Sequence, residues 1–106
     1  MTKADIVDRV AAGTGLTKLE TEAIIEGFFT TVIEALKEGN GIEIRGFGSY
    51  KVKKKNARNA RNPKTGDKVF VEEHYVPTFK FSKEFKEIVN VGMFEKKKGN
   101  TNGKVL

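Results

Sequence analysis

The chain of 106 residues contains no cysteine and a single histidine, His74. Without cysteine there is no disulfide framework and no thiolate nucleophile, and one histidine makes neither a His-rich metal site nor a conventional triad. Zinc chemistry and most redox chemistry are excluded. Long apolar runs are also missing, so no segment has the length and hydropathy of a membrane span. The opening stretch, Met1 to Arg9, lacks the apolar segment of a secretory signal, and a cytoplasmic location is expected. There is no activated nucleophile, no pair of acids in an apolar setting and no metal-ligand spacing. An enzyme is therefore not expected, nor a cofactor or small-molecule substrate, and His74 reads as a surface or sheet residue beside Tyr75.

What the chain has in excess is positive charge. Lys and Arg number 20 against 14 Asp and Glu, for a formal charge of +6. The excess is localised. Residues 1–50 hold 5 basic and 8 acidic side chains, residues 51–86 hold 11 and 4, and residues 87–106 hold 4 and 2. Between Lys51 and Lys68 stand eight basic residues against Asp67 alone. A merely solubilising surface would mix both signs, so an acidic helical segment followed by a cationic arm points to a polyanionic partner.

Capping boxes at Thr2-x-x-Asp5 and Thr17-x-x-Glu20 predict two helices, the first broken by Gly13 and Gly15 and the second stopped at Gly39-Asn40-Gly41. In the second helix Ile24, Phe28 and Ala35 run beside Ile25, Phe29, Val32, Ile33 and Leu36. These apolar positions span roughly half the circumference at ~100° per residue, more than one neighbouring helix covers. A second copy or homologous subunit is expected to share the core. Alternating runs on either side of Gly46-Phe47-Gly48 predict a hairpin, with Phe47 in the core, and Tyr75 to Phe81 predicts a further strand. Ser82 then caps a last helix through Phe85, Ile88 and Val89. The segment 91–106 is expected to be a flexible basic tail, with Lys96 to Lys98 and Lys104 suggesting extra contact with an anionic partner.

From Lys53 to Asn62 the only apolar side chains are alanines, so a ribbon formed here has no core of its own and is expected to be mobile until an anion organises it. Ten strand residues reach ~33 Å, enough for paired arms to embrace a duplex. Alternation places Lys53, Lys55 and Arg61 on one face and Lys54 and Arg58 on the other. Asn62-Pro63-Lys64-Thr65-Gly66 reads as a proline-initiated turn closed by glycine.

Ile42-Glu43-Ile44-Arg45-Gly46-Phe47-Gly48-Ser49, Arg61-Asn62-Pro63-Lys64-Thr65-Gly66-Asp67-Lys68 and Tyr75-Val76-Pro77, in this order, resemble the bacterial HU and integration host factor family, with wording nearest its beta-type subunits. The resemblance covers residues 1–90 as one DNA-binding domain with its arm at 53–75. It implies an α+β fold: an intertwined dimer with an N-terminal helical hairpin, a three-stranded antiparallel sheet extended into a β-ribbon arm, and a C-terminal helix. It further implies a nucleoid-associated protein that grips the minor groove of double-stranded DNA, with Pro63 intercalating to bend the duplex. Arg58, Arg61, Asn62, Lys64 and Gly66 would line the arm, with Lys68 on its returning strand and Lys53 and Lys55 at its base. Lys3, Lys80, Lys83 and Lys86 match body positions that hold flanking phosphates, while Phe47 and Phe79 match the aromatic core beneath the arms. Glu43 and Arg45 match positions associated with sequence preference, although a cross-strand ion pair explains them equally well. The partner subunit is an identical chain in an HU-like reading and a homologous one in a site-specific, integration host factor-like reading. Three departures from the family pattern are Tyr50 for phenylalanine, Phe81-Ser82 where Pro or Ala precedes Gly, and the residues beyond Asn90.

Overall fold

A computed structural model describes the backbone of residues 1–102 and the side-chain surroundings of residues 1–97. The element order is α1 (Lys3–Thr14), α2 (Lys18–Lys37), β1 (Ile42–Ile44), β2 (Gly48–Lys55), β3 (Arg58–Arg61), β4 (Lys68–Val71), β5 (His74–Phe81) and α3 (Lys83–Asn102). The chain forms two compact units, one ending at Glu38 and the other beginning at Gly39.

In the first unit both expected capping boxes are closed. Thr2 Oγ1 accepts from the Asp5 amide while Asp5 Oδ2 accepts from the Thr2 amide, and Thr17 and Glu20 do the same for α2. Gly15 ends α1 with φ at 80°, a left-handed conformation that costs glycine nothing. Hydrogen bonds from Thr17 hold the Glu20 carboxyl below the usual carboxylate value. This contribution to the cap is present above the ordinary glutamate pKa and is lost as pH falls through the lowered folded value.

Helices α1 and α2 pack together, with Val7 and Ala11 of α1 and Thr21 of α2 buried. Thr21 satisfies its hydroxyl on the Thr17 carbonyl at 2.8 Å, so its burial leaves no polar group stranded. The wide apolar arc of α2 is only partly covered: Ile24, Phe28, Phe29 and Ile33 remain exposed while Ile25, Val32, Ala35 and Leu36 are half-buried, and Leu19 is exposed in the first turn.

In the second unit β1, β2 and β5 form an antiparallel sheet in the order β1-β2-β5, and β3 pairs with β4 as a separate two-stranded ribbon. The Gly46-Phe47-Gly48 turn is closed by the Phe47 amide on the Ile44 carbonyl, with Gly46 at φ 78°. Gly48 answers a different demand. A Cβ there would lie 2.5 Å from both the Lys80 carbonyl oxygen and the Phe79 ring. One face of this sheet carries a chain of aromatic contacts, Tyr50–Phe79 at 4.7 Å, Phe47–Phe79 at 5.7 Å, Phe79–Phe81 at 4.8 Å and Phe47–Phe85 at 5.1 Å. Tyr50 thus keeps the ring contact expected of phenylalanine.

The second departure is accommodated as well. Phe81 stacks on Phe85 at 4.6 Å, and Ser82 caps α3 through its hydroxyl to the Phe85 amide at 3.0 Å. The third changes the expected chain path. The final helix does not stop near Asn90, and residues 91–102 are helix rather than a flexible tail. Val91, Met93, Phe94 and Glu95 present no proline or capping signal, and an isolated glycine such as Gly92 is too weak a breaker to end a propagating helix. Residues 103–106, including Lys104, lie outside the described residues.

Gly48→Ala is expected to lower the thermal unfolding midpoint by about 10 °C, because the backbone contact behind it costs about 2 kcal/mol to relieve. Gly13→Ala, with open space around its Cβ position in α1, should hold or raise the midpoint. Equal midpoints for the two variants would remove the steric role assigned to Gly48.

Candidate nucleic-acid interface

The register of β2 against β5 sorts side chains by chemistry. Tyr50 pairs with Phe79, Val52 with Pro77 and Lys54 with Tyr75, so these share the face of Phe81. Lys51 opposite Thr78, Lys53 opposite Val76 and Lys55 opposite His74 occupy the other face, with Lys80 opposite Ser49. Four ammonium groups therefore line the face turned away from the aromatic cluster. Lys54, on the aromatic side, is bound instead to Glu73 at 3.1 Å. Lys51 is a position that motif matching passed over. The i, i+2 spacing from Lys53 and Lys55 is the signal that finds it.

Beyond Lys55 the arm continues as the β3–β4 ribbon, with Arg58 opposite Val71, Asn59 opposite Phe70, Ala60 opposite Val69 and Arg61 opposite Lys68. Arg58 and Arg61 fall on opposite faces of this ribbon, as alternation requires. The tip is tightly closed. The Gly66 amide donates to the Asn62 carbonyl at 2.7 Å, and the Asn62 amide to the Asp67 carbonyl at 2.8 Å. Asn62 Oδ1 accepts from the Lys64 amide at 2.9 Å, and Arg61 Nη1 donates to the Gly66 carbonyl at 2.9 Å. Gly66 takes φ 76°, and Pro63, which has no amide hydrogen to satisfy, stands exposed at the apex.

At the junction of β5 and α3, Lys80, Lys83 and Lys86 are all exposed. Lys83 and Lys86 lie in the first turns of α3, where the helix macrodipole disfavours cations. Such cations are poorly placed for stability and well placed for a bound anion. Glu43, Arg45 and Lys80 surround one shallow depression beside Gly48 and Ser49. Neither Glu43 nor Arg45 makes an ion pair with a described residue, so the cross-strand pair that explained them as well as sequence preference is not formed among these residues.

Lys3 sits in the first unit, ion-paired to Glu26, whose hydrogen bond and charge raise the Lys3 pKa. Of the cations beyond Asn90, Lys96 and Lys97 are exposed on α3. His74 Nδ1 lies 2.8 Å from the Glu72 carbonyl, a local backbone contact. Among the described residues there is no cluster of metal-ligating side chains and no helix long and apolar enough to cross a membrane.

A cationic sheet face running into a basic ribbon that ends in an exposed proline defines a protein built to lie along an extended polyanion. Comparison with known proteins agrees. The family described as "Bacterial DNA-binding protein" matches residues 1–90. Integration host factor subunit beta of Vibrio parahaemolyticus is 44% identical over 93 residues, which is 87% of this chain and 100% of that protein. Among solved structures, Anabaena HU cocrystallised with DNA superposes with a TM-score of 0.78 at 37% identity, covering 84% of this chain and 97% of that one. HU from Thermotoga maritima gives 0.61 at 31% identity, with 84% and 98% covered. The chain belongs to the bacterial DNA-binding protein family of HU and integration host factor, architectural proteins that bind DNA as homo- or heterodimers.

Lys51→Ala is expected to lower the slope of log affinity against log salt by about one, the signature of one lost phosphate contact. Lys54→Ala, on the aromatic side and already paired, should leave the slope near that of the unaltered protein. Salt titrations of duplex binding distinguish the two, and equal slopes for both variants would contradict the sorting of charge by face.

Proposed function

We propose that two chains join through the apolar arc of α2 and grip one duplex with two ribbon arms, bending it. The observation that carries this reading is the tip. A rigid, hydrogen-bonded turn holds an exposed Pro63 ring at the end of a ribbon flanked by Arg58, Arg61, Lys64 and Lys68. An apolar ring presented this way can enter a base step of the minor groove, and the unstacking it causes kinks the DNA. The surrounding cations offset phosphate charge and hold the arm in the groove without reading sequence. Lys53 and Lys55 extend this contact to the arm base, Asn62 and Gly66 shape its end, and Lys80, Lys83, Lys86 and Lys3 take flanking phosphates on the body. This places the protein on the nucleoid in the cytoplasm.

A second reading concerns selectivity. The relative that is 44% identical is one subunit of integration host factor, and Glu43 and Arg45 here make no ion pair with a described residue. Both groups are free to meet DNA near the depression they share with Lys80. The chain would then serve as a site-selective subunit paired with a homologous one. Purified alone, it would bind random duplex weakly and regain tight binding with a partner subunit or a cognate site.

Pro63→Ala should keep most of the affinity while reducing the bend, because it removes unstacking rather than charge. End-to-end distance in a doubly labelled duplex reads this, and an unchanged bend would refute the wedge. Arg61→Ala should weaken binding on all sequences and flatten the salt dependence by about one phosphate. Loss confined to certain sequences would assign Arg61 to base reading instead.

A further inference from the structure

Phe70 is 65% exposed, an aromatic ring held in water on a ribbon that has no core to receive it. It makes no ring contact with any described residue. The register sets it opposite Asn59, with Arg61 and Lys68 as the next pair but one toward the tip, so alternation gives these four side chains one face. The opposite face holds Arg58, Ala60, Val69 and Val71, of which Ala60 and Val71 are half-buried. The flatter, more exposed ring thus lies on the side that also carries two cations and an amide.

We infer that Phe70 is a second apolar DNA contact on the arm, its ring packed against the deoxyribose walls of the minor groove while Arg61 and Lys68 hold the phosphates beside it. The inference rests on the proposed binding of the arm in a duplex groove. Charge complementarity selects the occupant: a ring with Arg61 and Lys68 beside it on the tip side of the same face suits a surface that pairs anionic groups with apolar walls, which describes a groove of phosphates and sugars. A phenyl ring forms no conventional hydrogen bond and displaces no counterion. Its contribution therefore has a signature unlike that of Arg61 and Lys68 beside it, affinity that is independent of salt and of base sequence.

The test uses the full chain and a random-sequence duplex, with dissociation constants measured over a range of salt for the unaltered protein, Phe70→Ala, Phe70→Leu and Arg61→Ala, and with a single strand and anionic vesicles as further ligands for the unaltered protein. Thermal midpoint and association state are recorded for each. Phe70→Ala is expected to bind roughly tenfold more weakly at every salt concentration, on a line parallel to that of the unaltered protein. Phe70→Leu, which keeps apolar bulk, should recover most of that loss, and both variants should keep their midpoint and association state. Phe70→Ala binding like the unaltered protein, while Arg61→Ala shows a shallower slope, would overturn the inference and leave the groove-binding reading standing. A loss accompanied by a change of association state would assign Phe70 to contact between copies and would also overturn it. Preference of the unaltered protein for single strands or anionic vesicles over duplex would instead defeat the underlying reading.

Discussion

The two-residue period of β2 and β5 is the constraint from which the working surface follows. Because successive side chains alternate across a pleated sheet, one register decides both what lies behind the sheet and what it presents. Tyr50, Phe79 and Phe81 gather with Phe47 and Phe85 on one side, and Lys51, Lys53, Lys55 and Lys80 are thereby committed to the other. The register depends on close approach at Gly48, where the Lys80 carbonyl and the Phe79 ring leave no room for a Cβ. A slip of one residue would turn the lysines toward Phe47 and Phe85 and the rings of Tyr50, Phe79 and Phe81 away from them, so ring packing and charge placement favour the same alignment.

The second constraint is the shortage of core. Among the described residues only Val7 and Ala11 are buried hydrophobic side chains, while Leu19, Ile24, Phe28, Phe29 and Ile33 stand exposed along α2. The family binds DNA as homo- or heterodimers, and in the proposed dimer a second chain covers this surface. Two chains also bring two arms. In that arrangement one contact would complete the fold and create a grip with two ends, and loss of the apolar arc would cost both stability and DNA binding.

Much of this was legible before any coordinates. The helix starts were written in Thr2-Asp5 and Thr17-Glu20, and the cap of α3 in Ser82, because capping is a local interaction between residues three apart. The arm was legible from its missing apolar content, and its tip from Asn62 to Gly66. Less legible was the end of α3. Helix propagation past Asn90 needs only the absence of a strong breaker, and absences are weak signals in a basic segment. The fate of Glu43 and Arg45 was also open, since whether two opposite charges pair depends on strand end and turn geometry. Lys51 and Phe70 were passed over because motif resemblance directs attention to matching positions, whereas their importance comes from register.

In the proposed mode of action, bending is done by a pair of chains acting on one duplex. Native mass measurement combined with end-to-end distance in a doubly labelled duplex tests this directly, as protein is added stepwise. The ends are expected to draw together as complexes of two chains per duplex accumulate. Shortening at one chain per duplex, or paired chains on a duplex whose ends remain as far apart as in free DNA, would contradict it.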